Sequence, residues 1–228
     1  MNLKRIAVVS IGINLAFLFL YASKRLQHPH APAGPLDQLA YCDMWNQTRE
    51  KVLERLPIDT GDNVFVGNSI VEGFPLEELF HSTRFKNRGI AGNHSYHIRD
   101  RIGRIAAAHP RAIFLDVGIN DILHDLPTDA LKSNYRAIIA TIRRLSPQTM
   151  IVAQTVLPVG RERRDKIPAI CSFNIWLAGY CDSAHVNFLN LFPLFLKGTQ
   201  LDPELTVDGV HITGRGYEIW MEAIRPYL

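Results

Sequence analysis

The 228-residue chain is poor in cysteine, with three. That scarcity excludes the disulfide framework that holds small secreted domains together. Cys171 and Cys181, ten positions apart on one predicted helix, would lie about 15 Å apart, too far for a bridge, so free thiols are expected. Cys42 follows Tyr41, where a lipidated cysteine wants a small neighbour, and it lies far from the apolar run described below. No cysteine pair has zinc-ligand spacing and the nine histidines form no H-x-x-x-H pattern, so no metal is expected. Charge of one sign is lacking too, with 25 basic against 22 acidic residues. Four of the bases, Lys4, Arg5, Lys24 and Arg25, fall in the first 30 residues, which hold no acid. The remainder carries 21 bases against 22 acids, which leaves no footprint for nucleic acid. Repeats and low-complexity tracts are absent, and 47% hydrophobic with 21% charged residues excludes disorder, a collagen-like chain and a polytopic membrane protein.

One long apolar run is present. Ile6–Ala22 is 17 residues without a charge, bracketed by Lys4/Arg5 and Lys24/Arg25. A bilayer core takes about 20 helical residues, and the apolar part of a cleaved signal about 7–15, so length favours an uncleaved anchor. Cleavage after Ala22 would put Leu20 where a small residue is needed, which leaves a removed signal as the second reading. The basic amino end favours a cytoplasmic N-terminus and a domain outside the cytoplasm. Residues 1–27 are therefore read as anchor or signal. The HPHAPAGP stretch within 28–36 is read as linker, and 37–228 as the domain.

In that domain short apolar runs alternate with amphipathic ones. Strands are predicted at Asn63–Val66, Phe85–Asn87, Ala112–Val117, Met150–Thr155 and Val186–Leu189, with helices at Leu39–Arg55, His97–Ala108, Thr128–Leu145, Ile167–Asp182 and Tyr217–Tyr227. Alternation of this kind gives an α/β fold with a parallel sheet and helices on both faces. Ligands of such sheets bind at the carboxyl ends of the strands. Four loops carry chemistry there. Ser69 follows the Gly67 turn after the first strand, Gly92 follows the second, and Asn120 follows Gly118 after the third. Asp208 stands three residues ahead of His211 before the last helix. Taken alone, Ser69 reads as a helix cap.

Together the blocks Gly67-Asn68-Ser69-Ile70, Gly92, Gly118-Ile119-Asn120-Asp121 and Asp208-Gly209-Val210-His211 resemble the SGNH, or GDSL-type, hydrolase family over roughly residues 60–228. The resemblance implies a flavodoxin-like three-layer α/β/α sandwich and serine-dependent hydrolysis of carboxylic esters without a cofactor. It assigns Ser69 as nucleophile, His211 as general base and Asp208 as its orienting acid. The oxyanion hole would be the Ser69 and Gly92 N–H groups and the Asn120 amide. Small acyl esters on envelope carbohydrate or lipid suit a tethered domain with no long apolar lid; FPLEELF (74–80) is the nearest candidate for one.

Two positions depart from the family pattern, which has Asp before the nucleophile and after the second-block glycine where this chain has Asn68 and Asn93. Losing two charges near the cleft is expected to favour anionic substrates. The same departures support a noncatalytic anchored binding protein as the alternative. A phosphate or nucleotide binder would leave Asp208 and His211 without a role and lacks a glycine-rich or Walker motif. His94 and His97 read as structural, Asp121 as a brace for its turn, and Asp116 has no role. The run RERRDK (161–166) reads as a solvated loop, and Trp176, Tyr180 and Trp220 as core or partner-facing aromatics.

Overall fold

A computed structural model describes residues 35–228, with side chains from Met44 onward. The apolar run at 6–22 lies outside the described residues, and among those described no helix is long and apolar enough to cross a membrane. A first unit ends at Trp45, and a compact unit runs from Asn46 to Leu228. Helix α1 spans Pro35–Arg55, so it begins inside the stretch read as linker. A proline is tolerated there because the first turn of a helix needs no intrahelical N–H.

The compact unit is built as β1 (Asn63–Gly67), α2 (Ser69–Glu72), α3 (Leu76–Phe80), β2 (Phe85–Gly89), α4 (Ser95–Ala106) and β3 (Ala112–Asp116), followed by α5 (Ile119–Leu123), α6 (Thr128–Leu145) and β4 (Met150–Gln154). After a 3-10 turn at Arg161–Lys166 come α7 (Ile167–Ser183), β5 (Asn187–Leu189), α8 (Phe192–Phe195), the short hairpin β6–β7 (Leu196–Lys197, Gln200–Leu201) and α9 (Gly214–Ile224). The five main strands are all parallel in the order 2-1-3-4-5. That is the flavodoxin-like order, with its switch point between β1 and β3.

Strands β1 and β3 are buried along their whole length, as strands covered on both faces must be. Right-handed crossovers put α2 and α3 on one face with α9, and α4, α6 and α7 on the other. On the first face Phe65 stacks on Phe114 with centroids 4.4 Å apart, and Phe74 meets Phe65 edge-on at 5.7 Å. Phe74 in turn lies 4.9 Å from both Tyr217 and Trp220 of α9. The buried Trp220 donates its indole N–H to Gln154 at 2.5 Å, which satisfies the one polar atom that its burial would otherwise orphan. On the second face Tyr135 and Phe173 lie 6.1 Å apart, and Ile98, Ile102, Ile138 and Ile142 are fully buried.

The predicted strands match the observed ones within two residues, and the helix predicted at Thr128–Leu145 ends where α6 ends. The helix predicted from His97 starts at Ser95, and the last one is α9 followed by a 3-10 turn at Arg225–Tyr227. Helix α5 and the hairpin were not predicted, being too short to show a period. Cys171 and Cys181 both lie on α7 as free thiols, the second buried. Trp220 is core, while Trp176 and Tyr180 stack together at 5.3 Å beneath the Arg136 guanidinium.

Register makes the strand ends level, with Gly67 paired to Gly89 on one side and to Asp116 on the other. Gly89 has α2 pressed upon it: a Cβ there would stand 2.2 Å from the Glu72 nitrogen and 2.7 Å from the Val71 carbonyl carbon. Both obstacles are backbone and cannot rotate away. Gly89→Ala is expected to destabilise the domain by about 1–3 kcal/mol, the usual range for overpacking, read as a lowered urea midpoint at unchanged slope.

Candidate active site

Strand β1 delivers Ser69 through a turn with no spare volume. A Cβ on Gly67 would sit 2.4 Å from the Val71 side chain and 2.8 Å from the Asp116 carbonyl oxygen, so only glycine fits. Asn68 then caps α2, its side-chain oxygen accepting the Ile70 N–H at 2.8 Å. The Tyr217 hydroxyl donates to the Ile70 carbonyl at 2.8 Å, and the Asn87 amide nitrogen lies 2.6 Å from the Val71 carbonyl and 3.1 Å from those of Glu72 and Phe74. The amino end of this four-residue helix is thus held by its own cap and its carbonyls by side chains from elsewhere, which such a short helix needs.

The Asp208–His211 turn is fixed by its own hydrogen bonds. One Asp208 oxygen accepts the N–H groups of Val210 at 2.9 Å and His211 at 2.8 Å, and the other lies 2.6 Å from His211 Nδ1. Thr206 donates its hydroxyl to the His211 carbonyl at 2.7 Å and accepts the Gly209 N–H at 2.9 Å. Gly209 supplies the left-handed step at φ 78° and packs against Gly160, whose N–H it accepts at 2.8 Å. Burial opposes ionisation of Asp208, yet the hydrogen bonds from the His211 ring and from the His211 and Val210 backbone outweigh it and hold the carboxyl down at about 2. His211 Nε2 lies 2.8 Å from Ser69 Oγ. Serine, imidazole and carboxylate, 142 and 3 residues apart in sequence, therefore form one line of contacts.

The remaining predicted residues gather at the same edge. Gly92 adopts φ 68° in a turn closed by the Asn93 N–H on the Ile90 carbonyl, and the Ile90 N–H returns to the Gly67 carbonyl. Glu72 accepts the Ala91 N–H at 2.6 Å, tying this loop to α2. Asn120 donates its amide to the Asn93 carbonyl at 3.0 Å. Its strand exit needs Gly118 at φ 125°, where a side chain would crowd Val156, Leu131 and Phe173. The Ser69 and Gly92 N–H groups donate to no acceptor among the described residues.

Asp121, expected to brace its own turn, instead ties that turn to the start of α4, accepting the Ser95 N–H at 2.9 Å and the Ser95 hydroxyl at 2.6 Å. His94 bonds His124 at 2.8 Å and stacks on Tyr96, and burial pulls His94 and His97 below the ordinary imidazole value. The 161–166 run is an exposed 3-10 turn beside the Asp208 loop. Arg163 lies 3.4 Å from the Asp208 carbonyl, and Lys166 pairs with Asp125 at 2.6 Å. Leu76 of the 74–80 segment is buried and Phe74 belongs to the core, so those side chains form no lid.

Asn68 and Asn93 are buried, at 1% and 9% exposure, and bond inside the domain. Asn68 points its amide at Asp116, 3.4 Å away, and Asn93 accepts the Arg101 guanidinium at 3.0 Å, which also reaches the Gly67 carbonyl at 3.1 Å. One expectation changes. Asp116, given no role from sequence, is the buried carboxyl beneath the Ser69 turn. The signal available was an acid inside the apolar strand Ala112–Asp116, and only the register with Gly67 places it. Burial pushes its carboxyl up to about 7, against a smaller opposing effect of the Asn68 amide.

The sequence model of the GDSL-like Lipase/Acylhydrolase family matches residues 65–219. The alpha1 subunit of platelet-activating factor acetylhydrolase IB from Rattus norvegicus is 23% identical over 205 residues, covering 84% of this chain and 85% of that one. The crystal structure of a GDSL-like lipase from Bacteroides thetaiotaomicron superposes with a TM-score of 0.68 at 26% identity, over 80% of this chain and 96% of that chain. An acetylxylan esterase from Geobacillus stearothermophilus shares the fold, with a TM-score of 0.60 at 17% identity over 74% of this chain and 94% of that one.

Because the folded protein holds the Asp116 proton more tightly than the unfolded chain, that proton favours folding fully below about pH 4. The contribution is lost as pH rises through about 7. Asp116→Asn keeps the shape and removes the titration. Its urea-denaturation free energy is expected to fall less than that of the wild type between pH 4 and pH 8.

Proposed function

The chain belongs to the GDSL-like lipase/acylhydrolase family of hydrolases, and from that premise we propose that it hydrolyses small carboxylic esters with Ser69 as nucleophile. The observation that carries this reading is the unbroken line Ser69 Oγ–His211 Nε2 at 2.8 Å and His211 Nδ1–Asp208 Oδ2 at 2.6 Å. Ser69 Oγ attacks the acyl carbonyl carbon and its proton passes to His211 Nε2. The imidazolium that forms is held in place by Asp208, whose low pKa keeps it ionised. Charge that develops on the carbonyl oxygen meets the Ser69 and Gly92 N–H groups and the second hydrogen of the Asn120 amide. Collapse breaks the bond to the alcohol oxygen, which leaves with the proton from His211. Water then repeats the sequence and releases the carboxylic acid.

Two features bear on substrate. The His211 and Asp208 side chains are about half exposed, at 51% and 52%, so a bulky alcohol such as a glycan or lipid headgroup meets no enclosing wall at that side. The names of the rat relative and of the Geobacillus stearothermophilus esterase both specify acetyl groups, which favours a short acyl chain. O-acetyl groups on envelope carbohydrate or lipid are the substrates that fit. Ile6–Ala22, uncharged and flanked by basic pairs, is assigned as a single-pass tether that holds the domain outside the cytoplasm.

The reading is tested with p-nitrophenyl acetate, butyrate and octanoate. Acetate is expected to be turned over fastest. Ser69→Ala and His211→Ala are each expected to lower kcat/KM by about 10⁴-fold or more, and Asn120→Ala by about 10²–10³-fold. A folded protein that turns over none of these esters and fails to react with a fluorophosphonate would be the anchored binding protein instead. For the tether, the full-length chain is expected to stay with membranes through an alkaline wash. A mature chain that begins after Ala22 and washes free would replace the anchor by a cleaved signal.

A further inference from the structure

Away from Ser69, a cleft of about 170 Å³ lies between the carboxyl-terminal part of α1 and α4, with Arg88 of β2 at its base. Its apolar wall is made by Leu53, Ile58, Ile90 and Ile105, and Arg88 and Arg101 also line it. Arg88 is buried, at 4% exposure. Its terminal nitrogens donate to the carbonyls of Asn87, Leu56 and Pro57, while Nε has no partner. Arg101 spends Nε on Asn93 and Nη2 on Gly67. Neither guanidinium has a carboxylate within 4.0 Å among the described residues. Burial accordingly pulls both below the ordinary arginine value, Arg101 to about 10.

A buried cation without a counter-ion is costly, and the cost is relieved by an anion that reaches it. The local charges limit which anion. Of the two carboxylates in the wall, Glu54 is already engaged by Arg104 at 2.7 Å and by Lys51 at 3.5 Å. Among the lining side chains Glu50 alone remains against two guanidinium groups, and Asp62, which draws on Arg88 from outside the wall, is shared with Lys86 at 3.8 Å, so the cleft is short of negative charge. An apolar cavity of about 150 Å³ accepts a benzene ring, so the space here suits a group of that size bearing a single charge.

We propose that the cleft between α1 and α4 is a binding site for a small amphipathic monocarboxylate, whose carboxylate meets Arg88 and Arg101 and whose hydrocarbon part lies on Leu53, Ile58, Ile90 and Ile105. The site does not depend on the hydrolytic reading and is separate from Ser69. Phosphate and other strongly hydrated anions lack the apolar part and bind less well. Neutral alcohols of the same size lack the charge.

Titration calorimetry on the full chain carrying Ser69→Ala, in detergent, tests this with hexanoate and benzoate against 1-hexanol and inorganic phosphate. Saturable one-to-one binding of both carboxylates is expected, weakened about tenfold or more by Arg88→Met and by Ala108→Phe, which fills the cleft from its rim. Ala108→Phe replaces neither arginine, so it remains informative if Arg88→Met fails to fold. Absence of saturable binding overturns the proposal. So does equal binding of 1-hexanol, or binding unchanged in a folded Ala108→Phe protein. Because the readout is binding to a protein without its nucleophile, this failure is distinguishable from a failure of the esterase reading.

Discussion

The site depends on how closely the end of β1 is pressed between β2 and β3. Gly67 has no room for a side chain because the Asp116 carbonyl and the Val71 side chain occupy the space where one would go. Gly89 is similarly overlaid by the backbone of α2. Level strand ends and absent side chains let a four-residue helix start directly off the sheet, so the Ser69 hydroxyl is presented at the rim. A loop of ordinary width would leave the serine free to choose among rotamers. Here the tight turn, the Asn68 cap and the Tyr217 hydroxyl on the Ile70 carbonyl limit that choice.

The same constraint explains what the chain does with asparagine at the two positions where the pattern it resembles has acids. In this turn Asn68 keeps the capping oxygen and turns its amide toward Asp116, so a carboxyl is still present beneath the Ser69 turn but on the neighbouring strand. At Asn93 the compensation is incomplete: its side-chain oxygen still receives Arg101, but no negative charge comes with it. One departure therefore relocates a carboxyl, while the other leaves a guanidinium short of a counter-ion beside the α1–α4 cleft. Both asparagines sit inside the scaffold, whereas the groups proposed to meet substrate are carried by Ser69, Gly92, Asn120 and the Asp208–His211 turn.

Local signals were strongest where periodicity ran longest. Thr128–Leu145 has buried residues at Leu131, Tyr135, Ile138, Ile139 and Ile142, a 3.6-residue rhythm that locates both ends of α6. Short apolar strands bounded by Gly, Pro or Asn were legible for the same reason. Helix α5 and the β6–β7 hairpin were not, because five residues or two contain no complete period. Asp116 was passed over because a strand residue's role depends on what lies across the ladder, and the sequence does not carry that pairing. Arg88 and Arg101 gave no signal either, since a lone arginine is usually solvated.

What the chain alone determined was the inventory and order of the site: a serine after a glycine turn, a glycine, an asparagine, and an acid three residues before a histidine. The i, i+3 spacing of Asp208 and His211 already fixes their contact, because one turn brings the two side chains together. Ser69 and His211 are 142 residues apart, and their 2.8 Å contact exists only because the parallel sheet and α9 bring both loops to one edge. Burial, too, belongs to the tertiary structure. The solvent that Asp116 and Arg88 lose is removed by strands and helices remote in sequence, and that loss shifts the Asp116 proton and leaves Arg88 with no carboxylate within 4.0 Å among the described residues.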